Sequence, residues 1–446
     1  MKPYEVTLFI LSIVLSILSI CLVFGGHEFT LRIPDISSWF IRDSLPTTEP
    51  DTIAFHDSIP SVQPSQQGQP IQSNSSIPSS QPSQPSQSSQ SSKPSPSSPQ
   101  AASAVGDTLS LPHFNHGLQN AANRPVRIVH YGDSQIEEDR ISMVLRHSLQ
   151  AVYGGGGVGL LPLVQTIPTY TCRQRIYRDG VELPRTAVTR HLAYGPASMR
   201  LRNSTAYGPM AQVATIDEPL TATFELNSDK IETFPFTAVR VLCDSTVYWT
   251  ADTTAGRAVS IQFTGSGEVY GVSLETPVGV MVDNIPMRGA AGTVFTSISR
   301  RQLEHYYQST GVALIIMQYG GNAMPAIRSQ RAVTAYVESM RSHVRYVHSC
   351  APDADILFIG PSDMITTDDG NRVSYPMLPY MDRELRAMVE QEGCEYWSLF
   401  HAMGGAASMN QWHDKGLAGD DLIHFSRSGA MKVGRMLSDA IMQSKQ

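Results

Sequence analysis

The sequence predicts a parallel α/β sheet interrupted by an inserted β-sandwich, carried behind an N-terminal membrane helix and a polar tether. Three observations predict this. Short continuous apolar runs alternate with helical stripes, as in sheets buried on both faces. A block of short alternating runs breaks that rhythm once, between about residues 163 and 299. Ahead of both lie an uncharged apolar segment and a long Ser/Pro/Gln tract.

The first element is Thr7–Phe24, "TLFILSIVLSILSICLVF", 18 residues without a charge. At 1.5 Å per residue such a helix spans ~27 Å, close to the hydrocarbon thickness of a bilayer. Lys2 precedes it, which favours an N-terminus left inside. The apolar core is long for a cleaved signal peptide, and "CLVFGGHEF" lacks a small-x-small cleavage pattern, so an uncleaved anchor over 1–25 is the expectation. Bulky Ile20 before Cys21 argues against a lipoprotein site. Residues 44–105, centred on "SSQPSQPSQSSQSSKPSPSSPQ", lack the apolar surface needed to offset the entropy of ordering them. They read as a solvated linker.

The folded part divides into 106–162, an insert over 163–299, and 300–446. Apolar strands are predicted at "VRIVHY" (126–131), "VALIIMQY" (312–319), "ILFIG" (356–360) and "YWSLF" (396–400). Helical stripes follow: Ile141, Val144, Leu145, Leu149 and Val152; then Val333, Tyr336, Val337, Met340, Val344 and Val347. Leu385, Met388 and Val389 precede Gly393, a predicted helix C-cap, and Ala430, Val433, Leu437 and Ile441 make the last helix. Within the insert, "TATFEL", "AVRVLC", "TVYWTA", "AVSIQF", "EVYGVSLE" and "VGVMVDNI" are spaced by turn residues as in a β-sandwich.

Composition removes several classes of function. The chain has 33 Lys+Arg against 40 Asp+Glu, a net charge of −7, and no basic run, so nucleic acid is not an expected partner. Cys172, Cys243, Cys350 and Cys394 lack metal-type spacing, so neither zinc nor any other metal or cofactor is implied. Cys350 and Cys394 each precede a predicted strand, which makes a disulfide between them an expectation to test. "GGGGVG" (154–159) satisfies G-x-G-x-x-G, but it follows a helix instead of a strand and so fails as a dinucleotide fingerprint. It reads as a flexible loop on the rim of the site. Trp249, Trp397 and Trp412 are expected mainly in the core, with sugar stacking as the alternative.

Four places carry chemistry. Ser134, in "YGDSQ", leaves a buried strand at a turn into a helix, where its hydroxyl and backbone N–H are exposed together. A GDS tripeptide arises by chance in roughly one chain in ten of this length, and its plain reading is a capped turn. Asn322, in "QYGGNAM", leaves a second strand on a glycine-permissive turn, where its amide can donate to an anion or simply stabilise the loop. Gly289, in "DNIPMRGAAG", offers a backbone N–H with no side chain in the way, at a turn its glycines also explain. Asp421 and His424, in "GDDLIHFSRSG", are three apart, so the carboxylate can hold the imidazole while its other nitrogen faces outward. Chance alone yields D-x-x-H in roughly one chain in three. Together, in this order and each at an element terminus, they supply a nucleophile, a base, its orienting acid and oxyanion donors.

On these blocks, GDS, glycine, G-x-N and D-x-x-H, the region from about 124 to 443 resembles the SGNH (GDSL-like) hydrolases. The resemblance implies a three-layer sandwich, with Ser134 as nucleophile, His424 as base and Asp421 orienting it. Gly289, Asn322 and the Ser134 N–H would line the oxyanion hole. Gln135 stands where the family tetrad has leucine, and Ala323 where an aspartate commonly follows the block asparagine. These departures point away from the lipase branch. "GDSQIEEDR", "VMVDNIPMRGAAG", "QYGGNAMP", "GPSDM" and "AMGGAASMNQW" are similar to the peptidoglycan O-acetylesterases, which carry a carbohydrate-binding-like β module after the serine block. That similarity implies an acetyl ester hydrolase acting on an O-acetylated cell-wall glycan. It would sit in the cell envelope, held to the inner membrane with its catalytic part outside the cytoplasm, in the periplasm. A glycan O-acetyltransferase using the same triad, and a non-catalytic glycan-binding protein, are the alternatives.

Overall fold

The computed structural model describes residues 108–195, 197–200, 207–254 and 256–444. The apolar segment with Cys21 and the polar tract lie outside them. Among the described residues no helix is long and apolar enough to cross a membrane.

The α/β part runs α1 (Pro112–Gln119), β1 (Pro125–Gly132), α2 (Ser142–Tyr153), β2 (Gly279–Pro286), α3 (Arg300–Thr310), β3 (Val312–Gln318), α4 (Gln330–Cys350), β4 (Asp355–Ile359), α5 (Leu378–Gln391), β5 (Glu395–Trp397), α6 (Leu399–Met403), α7 (Ser408–Asp414) and α8 (Arg427–Met442). Five strands form one parallel sheet in the order β2-β1-β3-β4-β5. The order reverses between β1 and β3, and doubly wound sheets bind ligands at the carboxyl edge of such a reversal. Alternate residues of β1 feed opposite faces. Val129 and Tyr131 pack with Val333, Val337, Met340, Leu385 and Met388 of α4 and α5. Val126 and Ile128 pack with Leu145, Leu149, Val433 and Leu437 of α2 and α8. The result is helix, sheet and helix in three layers.

Serine caps set the start of several helices. The Ser299, Ser329 and Ser426 side chains accept from the backbone N–H of Gln302, Ala332 and Gly429. At the end of α5, Gly393 takes φ +70°, with Gly393 N–H bonded to Glu390 O and Cys394 N–H to Val389 O. That is the paired closure of a Schellman turn. Val152, placed on the buried stripe by its spacing, is 53% exposed on the last turn of α2.

The insert is a β-sandwich. One sheet pairs 172–178 with 181–182 and 220–226, then 258–265 and 247–254; the other pairs 267–275 with 159–161, 212–216 and 238–243, with 189–192 at its end. Phe224, Ile261 and Phe263 of the first sheet bury against Val272 and Leu274 of the second. Two boundaries differ from the sequence division. Gly159–Leu161 already belongs to the sandwich, and "VGVMVDNI" is β2 of the parallel sheet, paired along its length with β1. Its apolar residues are buried on both faces, as in a strand covered on both sides of its sheet, whereas alternation marks a sandwich strand.

Buried ion clusters join insert and sheet. Arg127 of β1 donates to Asp283 of β2 at 2.6 Å and also to Glu275 of the sandwich, while Leu160 N–H donates to Asp283 at 2.8 Å. Arg146 of α2 donates to Asp139 at 2.6 Å, and Thr171 donates to the same carboxylate at 2.6 Å. The glycine run 154–157 is part of this joint and not a loose rim. A Cβ on Gly155, Gly156 or Gly157 would collide with the carbonyl oxygens of Val280, Pro235 and Leu274 respectively. Backbone-to-backbone approach, not mobility, requires those glycines.

The expected Cys350–Cys394 disulfide is absent: both are free, buried thiols. Leu357 pairs with Glu395, which sets Cys394 level with Ile356, whereas Cys350 ends α4 several residues upstream. Cys394 Sγ instead lies 3.8 Å from His348 Nδ1.

Candidate active site

β1 ends at Gly132, and the chain turns at once into a short 3-10 segment, Ser134–Asp139. Asp133 caps the turn, its Oδ1 accepting from Gln135 N–H at 2.9 Å. This leaves Ser134 half-buried at the carboxyl edge, between the turns that follow β2 and β3.

Ser134 Oγ is 3.0 Å from His424 Nε2, and His424 Nδ1 is 2.6 Å from Asp421 Oδ2. A carboxylate only accepts, so Nδ1–H donates to it and the Nε2 lone pair faces the serine hydroxyl. Asp421 Oδ1 accepts from the backbone N–H of Ile423 at 3.0 Å and of His424 at 2.9 Å. Partial burial pushes the Asp421 carboxyl up, but the hydrogen bonds from the His424 side chain and from those two backbone N–H groups outweigh it and hold the pKa at about 2. The carboxylate stays charged wherever the imidazole needs an anchor.

The two side donors are placed differently. Gly289 takes φ +74°, and its missing side chain would meet nothing within 4 Å, so this turn faces open space. Asn322 lies across the edge, but both N–H groups of its amide are in use: Nδ2 donates to Asp133 Oδ2 at 3.0 Å and to Ala290 O at 3.2 Å. Asn322 therefore ties the serine turn to the glycine turn, and it reaches an oxyanion only by exchanging one of those acceptors.

Beneath the serine, buried His130 contacts Ser142 Oγ at 2.9 Å and Gln318 Oε1 at 3.1 Å, and Ser142 donates to Asn284 at 2.7 Å. Burial lowers the His130 pKa to about 4, with Gln318 opposing, so the ring is neutral near pH 7. Burial raises Asp133 to about 6 against its hydrogen bonds from Gln135 and Asn322.

Three further residues hold the site in position, and of these only Gln135 is marked in the sequence, by standing where the family tetrad has leucine. Gln135 spans the loop that carries His424: its Nε2 donates to Ile423 O at 2.8 Å and its Oε1 accepts from Phe425 N–H at 3.4 Å. The residue that departs from the family tetrad thus holds both flanks of the imidazole. Arg140 donates to Phe425 O at 3.1 Å and to Ser134 O at 3.2 Å, binding the same two segments. Arg288, beside Gly289, pairs with Glu137 at 2.7 Å. A leucine at 135 could make neither loop bond, and that was the one available signal.

A serine, an imidazole and a carboxylate in contact order, at the reversal point of a parallel sheet, are the arrangement that serine hydrolases use. The particular resemblance lies in solved structures. The chain is similar to one described as a peptidoglycan O-acetylesterase in action, with TM-score 0.57 and 22% identity over 74% of this chain and 94% of that one. It also matches a carbohydrate acetylesterase from Sinorhizobium meliloti, at TM-score 0.27 and 13% identity over 36% of this chain and 78% of the other. No family model and no curated protein matches the chain.

Proposed function

We propose that the protein is a serine esterase that removes O-acetyl groups from a cell-wall glycan of the peptidoglycan kind. The contact chain Ser134–His424–Asp421 carries this reading, and the similarity to a structure titled as a peptidoglycan O-acetylesterase supports the substrate class. His424 Nε2 takes the Ser134 proton as Oγ attacks the acetyl carbonyl. The oxyanion forms against the Ser134 and Gly289 N–H groups, with Asn322 joining when Ala290 O gives up its bond. His424 then returns the proton to the departing sugar oxygen. Water, activated by the same imidazole, attacks the acetyl-enzyme and releases acetate.

The sandwich is read as a glycan-contacting module, supported by Tyr248 at 67% and Trp249 at 37% exposure on the strand 247–254. Trp412, by contrast, is buried, as expected for a core tryptophan. Anchoring through Thr7–Phe24, with the esterase beyond the tether outside the cytoplasm, rests on the sequence pattern alone. The test is acetate release from O-acetylated wall polymer by the chain and by Ser134→Ala. Equal rates would refute the assignment. Acetylated glycan oligomers appearing in place of free acetate would make the protein a transferase.

A further inference from the structure

A cavity of about 350 Å³ opens between the sandwich and the α/β part, and the proposed chemistry does not use it. Its volume lies within the roughly 300–1,000 Å³ of small-molecule sites. Glu137 and Arg288 line it, three residues after Ser134 and one before Gly289, so it adjoins the reacting edge. Its walls are largely apolar, with Leu161, Ile167, Met210 and Ile285 among them.

The polar groups in it are unevenly satisfied. Each lining carboxylate is already paired: Glu137 with Arg288, Asp139 with Arg146, and Glu138 with Arg140 at 3.7 Å. Arg190 is left over. It donates to the Thr166 hydroxyl, and among the described residues no carboxylate lies within ion-pair distance of it. Burial disfavours its charged form, with the Tyr194 phenol only partly opposing. Gln165 and Gln212 also line it, and each keeps one buried polar atom without a partner. Gln165 is 4% exposed with Nε2 unpartnered, and Gln212 is 9% exposed with Oε1 unpartnered. A spare cation, a spare donor and a spare acceptor in an apolar frame match a carboxylate and an amide N–H on one small group. An alkyl acyl chain would leave all three unsatisfied.

We propose that this cavity is a subsite for a short peptide or N-acylated amino acid bearing a free carboxylate, attached to the glycan, with Arg190 taking the carboxylate and Gln165 and Gln212 the amide. The inference builds on the esterase reading only in supposing that the peptide arrives on an acetylated sugar.

The test separates the two. Binding is measured by calorimetry on the full-length chain carrying Ser134→Ala, with N-acetylmuramoyl-L-alanyl-D-isoglutamine and peptide-free di-N-acetylchitobiose as probes. The peptide-bearing probe is expected to bind at least tenfold more tightly. Arg190→Met should remove that preference, Arg190→Lys should retain part of it, and Gln165→Leu should weaken it several-fold, each with an unchanged melting temperature as the folding control. Equal affinity for the two probes, or an Arg190→Met variant that melts normally and keeps the preference, would overturn the subsite. So would 4-nitrophenyl hexanoate outpacing the acetate ester in the wild type while the peptide probe fails to bind. Peptide binding without acetate release from acetylated polymer would instead overturn the esterase reading and leave the subsite standing.

Discussion

Two clusters of serine, histidine and aspartate among the described residues can be compared, and they set their serines against different partners. At Ser134 the contacts run in series: hydroxyl to Nε2 at 3.0 Å, then Nδ1 to carboxylate at 2.6 Å. At Ser398 they close on one point. Its hydroxyl donates to Asp382, 2.9 Å from either oxygen, and accepts from His401 N–H at 3.1 Å as the cap of α6. His401 meets both partners through the same Nδ1, at 2.8 Å from Ser398 and 3.2 Å from Asp382. The proton of Ser398 thus points at a carboxylate and not at a free imidazole lone pair. Ser398 is also only 5% exposed, with Tyr396 donating to the same Asp382 at 2.7 Å. One residue set turns a serine toward an imidazole lone pair in one place and makes a helix cap in the other. Contact order and access decide which.

That contrast can be broken most directly at the two serines. Ser134→Ala should lower kcat for acetate release by ~10⁶, as removal of a triad nucleophile does. Ser398→Ala should leave kcat within about twofold while lowering the melting temperature, because buried Asp382 loses a donor. Comparable losses of turnover in both would erase the distinction. The carboxylates give the next effect. Asp421→Asn should cost about 10⁴ in kcat by disturbing the tautomer, whereas Asp382→Asn should act on stability, measured by denaturant unfolding.

Smaller effects sharpen the geometry around the active cluster. Asn322→Ala should reduce kcat by about 10²–10³ with little change in KM if its amide reaches the oxyanion. A loss confined to thermal stability would leave it as a tie between turns. Gln135→Leu should lower kcat about tenfold, since a displaced hydrogen-bond pair is worth ~1–2 kcal/mol, and Gln135→Glu should restore the Phe425 bond alone.

The last effect falls on stability and not on turnover, and it varies with pH. Asp133 has a folded pKa of about 6, above its ordinary value of 3.8, so the folded state holds that proton more tightly. Its contribution is fully present below the unfolded value and is lost as pH rises through about 6. Asp133→Asn should therefore gain on the wild type between pH 4 and pH 7 by on the order of 1–3 kcal/mol in urea unfolding. A difference flat with pH would show that Asp133 is not buried as an acid.

Much of this was legible in the chain. The runs at 126–131, 312–319 and 356–360 are apolar on both faces, and that composition suits a strand covered on both sides of its sheet. "VGVMVDNI" has the same property, but it stands directly after true sandwich strands, and its neighbours drew it into the wrong sheet. The glycine run was misplaced for a related reason. A close approach between backbones distant in sequence leaves the same residues as a flexible loop does. Trp249 illustrates a third limit. A tryptophan on an alternating strand is buried or exposed according to what covers that face, and its strand lies at a sheet edge.

By itself the sequence determined which segments could be strands and helices, because periodicity and capping are local and act between residues a few positions apart. It also placed Ser134, Gly289, Asn322, Asp421 and His424 at element ends, since turns carry their own chemistry. Only the tertiary structure decided which serine meets a free imidazole, that Gln135 grips the loop around it, that Asn322 is already engaged, and that among the described residues Arg190 has no acid within ion-pair distance. Those are matters of which distant groups share a few ångströms, and hydrogen bonds and ion pairs are made or lost over that distance.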